Sequence, residues 1–220
     1  MNKHFRSTIH RLLFCSLVVF SLAFVTQGQA LATESAKRSG LSGDVVFVRG
    51  GFNIFSGGLD SLAEKLVKKG VTSRIYRHTQ VPQIVRSIRR NQRLHGQRPI
   101  ILVGHSWGAN AILDVARILR GHKLNVRYMV TIAATSPNVA PSNIEKLTNY
   151  YFKQNGWGKP VRAVKGFRGV LKNVDMSTEA QVHHFNVDDH PRVHSQIINN
   201  VVRFLRTSKV AQQKPEKVSG

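Results

Sequence analysis

Cysteine is almost absent: Cys15 is the only one in 220 residues. It falls in a leader that is expected to be removed, so the working chain has no disulfide and no Cys/His metal cage. Stability has to come from a hydrophobic core, and about 190 residues suffice for one core and one domain. A long apolar run is missing too. Leu12–Val25 spans 14 residues, short of the ~20 that a membrane-crossing helix needs. Lys3, Arg6 and Arg11 precede it and Ala30-Leu31-Ala32 follows, the pattern of a secretory signal peptide cut near Ala32. Retention as an anchor is the lesser alternative. Cys15 lies mid-stretch, away from the cut, and does not read as a lipid-attachment residue.

Acids are scarce as well. The chain has 11 Asp and Glu against 33 Lys and Arg, a net charge of +22. The leader holds three of those cations and no acid. Such an excess favours anionic surfaces such as phospholipid head groups, lipopolysaccharide or acidic polymers. No aromatic-interleaved basic motif of a nucleic-acid reader is present, and export argues against that partner. A solvated basic face suited to an anionic cell envelope is expected.

What is there begins with Ile100-Ile101-Leu102-Val103-Gly104-His105-Ser106-Trp107-Gly108. An apolar run ends in Gly-x-Ser-x-Gly, and a helical apolar pattern follows through Ile112, Val115 and Leu119. This is strand, sharp turn and helix with a serine at the apex. Residues beside such a serine must be small, which Gly104 and Gly108 satisfy. The turn offers Ser106 Oγ as a nucleophile and places the N–H of Trp107 at a helix start, where an oxyanion is stabilised.

Along the rest of the chain, Val45–Val48 reads as a buried strand running into Gly50-Gly51-Phe52. A helix on Leu59, Leu62 and Leu66 stops at Gly70; Val71–Tyr76 is a second strand. Pro82 starts a helix over Ile84, Val85 and Ile88, with Arg86, Arg89, Arg90 and Arg93 on its polar side. Val126–Ala134 is a fourth strand. Asn138–Pro160 shows no clear strand, and Val161–Val174 reads as one or two irregular ones. Pro191–Arg206 is a terminal amphipathic helix. The organisation is a leader (1–32), a polar lead-in (33–43), one folded domain (44–206) and a disordered basic tail (207–220). The expected fold is α/β, a single doubly wound, mainly parallel sheet flanked by helices. Ligands in such sheets bind beyond the carboxyl ends of the strands, where Ser106 and the Gly51 turn both fall.

On the elbow at Ser106, the Arg49-Gly50-Gly51-Phe52 turn and the segment His184-Phe185-Asn186-Val187-Asp188-Asp189, the chain resembles the α/β-hydrolase superfamily. The likeness is to its small, lidless lipase- and thioesterase-like members and covers residues 44–206. It implies a histidine base before the last helix, because a free serine hydroxyl is a poor nucleophile. His184 fits best; His183 and His190 are the alternatives. His190 and His194 stand one helical turn apart, but with no third ligand they read as solvent-facing. The resemblance also implies a second oxyanion donor from the first loop, the N–H of Gly51 or Phe52.

The acid departs from the family pattern. Relatives often carry Asp-Pro after the strand that follows the nucleophile helix, where this chain has Ser136-Pro137. Asp175, nine residues before His184, is the expected substitute, with Ser136, Asp188 or Asp189 as the alternatives; the two last otherwise cap the terminal helix or bind neighbouring arginines. Trp107, Tyr151 and Trp157 are candidates to line an acyl pocket, with core packing as the equal alternative. Whether Asn138–Pro160 closes over the site stays open. The expectation is an exported serine hydrolase cleaving a carboxylic ester through an acyl-enzyme, with no metal or organic cofactor implied. Its rival is a non-catalytic envelope-binding protein that uses the basic face.

Overall fold

The computed structural model describes residues 41–51, 57–136, 139–154 and 158–213. Six strands form one sheet: β1 (Asp44–Arg49), β2 (Ser73–Arg77), β3 (Ile100–His105), β4 (Tyr128–Ile132), β6 (Lys146–Tyr151) and β8 (Val170–Asp175). Their order is β2-β1-β3-β4-β6-β8, and every neighbouring pair is parallel. Two short strands, β5 (Val139–Ala140) and β7 (Arg162–Ala163), pair separately. The helices are α1 (Gly57–Val67), α2 (Val81–His95), α3 (Trp107–Gly121) and α4 (Pro191–Gln213).

A parallel sheet needs crossovers, and the crossover helices cover both faces. Side-chain alternation along each strand divides the core accordingly. Val45 and Phe47 of β1 join Ile101, Val103, Val130 and Ile132 against α1 and α4. Val46 and Val48 join Leu102 and Met129 against Ile84 and Ile88 of α2 and Ile112 and Val115 of α3. Each continuous apolar run therefore feeds two cores, which is the doubly wound arrangement the sequence implies.

Asp44, at the start of β1, is fully buried. Its carboxylate accepts from Arg74, from Asn91 Nδ2 at 2.7 Å and from Gln92 Nε2 at 2.8 Å. Strand β2 and helix α2 are thereby fastened to the entry of β1. On the opposite side of α2, Arg86, Arg90 and Arg93 are exposed and Arg89 is half-buried.

Three expectations are corrected here. Strand β6 lies inside the 138–160 stretch, in which the sequence shows no clear strand and which stood as a possible cover for the site. Its sequence, Lys-Leu-Thr-Asn-Tyr-Tyr, looks polar, yet Thr148 and Asn149 are buried because the sheet satisfies them laterally. Thr131 Oγ1 donates to Asn149 Oδ1 at 2.8 Å, and Asn149 Nδ2 donates to Asn173 Oδ1 at 2.8 Å. Next, helix α4 runs on to Gln213 rather than ending at Arg206 before a disordered tail from 207. Finally, His194 is buried, not solvent-facing: Lys65 Nζ lies 2.7 Å from its Nδ1 and the Asp188 carbonyl 2.7 Å from its Nε2. The leader, residues 1–32, lies outside the described residues. Among the described residues no helix is long and apolar enough to cross a membrane.

Candidate active site

Ser106 sits between β3 and α3 with φ 57° and ψ −124°, a conformation that costs a non-glycine residue on the order of 1–3 kcal/mol. The surroundings hold it there. Its N–H donates to the Ile132 carbonyl at 2.8 Å, and its carbonyl accepts from Ala109 N–H at 2.9 Å. A Cβ on Gly108 would stand 2.0 Å from the Val48 carbonyl oxygen, so only glycine lets α3 approach β1 this closely. Trp107 is the first residue of α3, which puts its N–H at the positive end of the helix beside the serine.

His184 reaches Ser106 from a loop between β8 and α4. His184 Nε2 lies 3.1 Å from Ser106 Oγ, a hydrogen-bonding distance across 78 residues of sequence. The imidazole is largely buried. Burial, and secondarily the neighbouring His183, pulls its pKa below the ordinary histidine value. The ring is therefore neutral at neutral pH and can accept the serine proton.

The turn after β1 crosses close to Ser106. A Cβ on Gly50 would lie 2.8 Å from Ser106 Cβ, so the turn passes directly over the nucleophile. Gly51 packs against the indole of Trp107. Phe52, the alternative donor, lies outside the described residues. Two residues absent from the motifs brace the neighbourhood of the elbow. His78 Nδ1 lies 3.3 Å from the Gly50 carbonyl, and its ring meets the Trp107 ring edge-on at 5.1 Å. Asn110 Oδ1 accepts from Thr135 N–H at 3.1 Å and from Thr135 Oγ1 at 3.0 Å, tying α3 to the loop after β4. Neither stands in a motif, so no periodicity or spacing could have singled it out.

Asp175 ends β8, but its Oδ1 accepts from Ser177 N–H at 2.9 Å and Lys153 N–H at 3.2 Å. Those bonds, Ser177 first, hold its carboxyl below the usual range. Nine of the eleven acids fall among the described residues (Glu34 and Glu216 do not), and none of the nine makes a hydrogen bond or ion pair with His184. Asp188 is buried and stands 4.0 Å from His105 Nδ1. Burial pushes its carboxyl up to about 7 against the opposing N–H groups of Gly58 and Leu59. Asp189 faces solvent, with its Oδ1 3.8 Å from His194 Nε2. Ser136 is exposed after β4.

The aromatic candidates separate. Trp107 is 47% exposed beside the nucleophile, and Phe185, next to the base, is 50% exposed. Tyr151 ends β6 half-buried, while its neighbours Tyr150 and Phe152 are core residues. Trp157 lies outside the described residues. Among the described residues no group of three or more His, Cys, Asp or Glu is placed to hold a metal ion.

No family model matches the chain, and no curated protein matches it. Solved structures do. A protein from Pectobacterium atrosepticum described as a YdeN-like hydrolase is 15% identical, with 82% of this chain and 98% of that one covered at a TM-score of 0.41. YbtT, a type II thioesterase of the yersiniabactin pathway, is 10% identical, with 75% and 94% covered at 0.40. A cutinase-like protein from Cryptococcus is 12% identical, with 76% and 95% covered at 0.35. The α/β-hydrolase-like character of the fold rests on the parallel strand order and on the elbow that ends β3.

Proposed function

We propose that this chain is an exported serine hydrolase that cleaves carboxylic esters of apolar acyl groups through an acyl-enzyme. One observation carries the reading: His184 Nε2 stands 3.1 Å from Ser106 Oγ at a strained elbow. In the first step His184 takes the serine proton as Oγ attacks the ester carbonyl, and the N–H groups of Trp107 and Gly51 hold the resulting oxyanion. Collapse expels the alcohol, which takes the proton from His184 and leaves an acyl-serine. Water, deprotonated by the same imidazole, attacks that ester and regenerates the serine. The apolar acyl class follows from the exposed faces of Trp107 and Phe185 on either side of the pair. Export rests on the leader alone, and thioesters of intracellular carriers make poor substrates outside the cytoplasm. The test is labelling with a fluorophosphonate probe and turnover of activated esters. The wild-type chain should label and Ser106→Ala should not, with at least about 10³-fold loss of turnover. A wild-type chain that takes no label refutes the reading.

A second reading, compatible with the first, concerns α2. Arg86, Arg89, Arg90 and Arg93 lie along one stripe of that helix, opposite buried Ile84 and Ile88, and their guanidinium groups meet no carboxylate among the described residues. Four cations so placed fit an anionic phospholipid surface, on which each contributes about 1 kcal/mol. Arg86→Gln/Arg90→Gln/Arg93→Gln should weaken binding to phosphatidylglycerol-containing vesicles. Removing three cations from the opposite side, at Lys68, Lys69 and Arg206, should not. Equal loss in both triples would reduce the effect to net charge.

A further inference from the structure

The base of the proposed pair stands on an irregular loop. Gln181 before it has φ 60°, and the turn is closed by short-range bonds, such as His183 N–H to Asn186 Oδ1 at 2.8 Å and Val187 N–H to the His183 carbonyl at 3.1 Å. These bonds shape the turn but do not set its distance from Ser106. A hydrogen bond that crosses from the elbow strand does. His105, the last residue of β3 and the neighbour of the nucleophile, points its Nε2 at the carbonyl oxygen of His184 itself, 2.8 Å away. Both side chains are almost completely shielded from water, at 1% and 5% exposure, and their rings lie 5.2 Å apart.

A carbonyl can only accept, so Nε2 of His105 carries the proton and Nδ1 the lone pair. Burial pushes the pKa of His105 down to about 4, so the ring stays a neutral donor through the pH range in which a histidine base works. The next turn of the loop is anchored as well. The Asp188 backbone packs on Gly58 so tightly that a Cβ there would come within 2.4 Å of it, and the Asp188 carbonyl accepts from His194 Nε2 at 2.7 Å. Downstream anchoring fixes the loop to α1 and α4; the His105 bond fixes the main chain of the residue carrying the base to the strand carrying the nucleophile.

We infer that His105 is a positioning residue for the reaction, holding the main chain of His184 at the height from which its imidazole meets Ser106 Oγ. Because the bond acts on the backbone, it leaves the catalytic ring itself available to gain and lose protons. The inference rests on the reading of Ser106 and His184 as the catalytic pair. Misplacement of a reacting group by about 1 Å costs on the order of 10²-fold in rate, which sets the size of the effect to look for.

The experiment compares His105→Phe, which keeps a ring of similar volume without the donor, with His105→Gln, whose Nε2 retains an N–H at similar reach. Steady-state kinetics on an activated ester, the rate of fluorophosphonate labelling and the thermal midpoint are measured for both. His105→Phe should lose about 10- to 100-fold in kcat and in labelling rate, with KM within about threefold. His105→Gln should recover most of the loss. A merely structural role would move the midpoint without splitting kcat from KM, and would give Gln no advantage. Wild-type kcat in His105→Phe, or equal losses in both variants, would overturn the inference. Should the Phe variant fail to fold, His105→Asn, too short to reach the His184 carbonyl, replaces it in the comparison with Gln under the same criteria. A wild-type chain that neither labels nor turns over ester removes the catalytic pair itself, which separates that failure from this one.

Discussion

Gly108 lies beneath the carbonyl of Val48, with only 2.0 Å between that oxygen and the place a Cβ would occupy. The contact sets the spacing between β1, which leads into the Gly50-Gly51 turn, and the helix that starts at the nucleophile. Gly108→Ala must push the two apart. Overpacking of this kind costs about 1–3 kcal/mol, so the thermal midpoint should fall by several degrees. Labelling of Ser106 should fall further than stability does, because the displaced turn carries Gly51, the proposed oxyanion donor. A variant with wild-type labelling would show that the spacing is not set here.

Asp175→Asn should leave turnover within about threefold of wild type. Its carboxylate is held by the N–H groups of Ser177 and Lys153, and Asn can still accept from one of them. Removing a true triad acid would instead lower turnover by about 10⁴-fold. Steady-state kinetics on an activated ester decide between the two.

The rate should fall on the acid side below pH 6.5. The mechanism needs His184 neutral, and burial together with His183 lowers its pKa from that ordinary value. Its base form therefore persists to lower pH than that of an exposed histidine. His183→Gln removes a neighbouring cation, makes the imidazolium less unfavourable, and should move the acid limb upward. A kcat/KM profile of both proteins checks the direction; a limb that moves down contradicts it.

Asp44→Ala should destabilise the fold by about 3–5 kcal/mol, the scale of breaking a buried charge pair from one side. Arg74, Asn91 and Gln92 would all lose their acceptor. Because the residue lies at the opposite end of β1 from the site, kcat at low temperature should change little. Denaturant unfolding beside kinetics tests both parts.

The elbow, the two-faced strands and the nearness of a histidine from before the last helix to Ser106 were legible because each leaves a local trace: small residues at fixed offsets, a four-residue apolar run, a histidine just ahead of the last helix. Strand β6 was not, since its buried Thr148 and Asn149 look like loop residues until Thr131, Asn149 and Asn173 are seen to satisfy one another across three strands. Asp175 is a related case. Position after a strand placed Asp175 at the right end of the sheet, but only the tertiary structure shows two backbone amides claiming its carboxylate. His78, Asn110 and His105 bond to partners far away in sequence, and neither the spacing around His78 and Asn110 nor the variable place of His105 within the elbow motif marks those partners.

The sheet ends on β2 and β8, and an outer parallel strand is a template onto which another copy can add. Val170 of β8 is 61% exposed, and the strand is otherwise half-covered or open along its length. Lys172 stands exposed in the middle of that strand, and Arg77 ends the strand on the other edge. Two copies approaching edge to edge therefore bring cation against cation. The surplus of basic residues then acts as a guard against self-pairing, independent of any ligand. Its reach is set by salt, shrinking from about 10 Å at 0.1 M to about 3 Å at 1 M. Lys172→Ile should turn β8 into a seed for oligomers, and concentrated salt should reveal the same tendency in the unmodified chain.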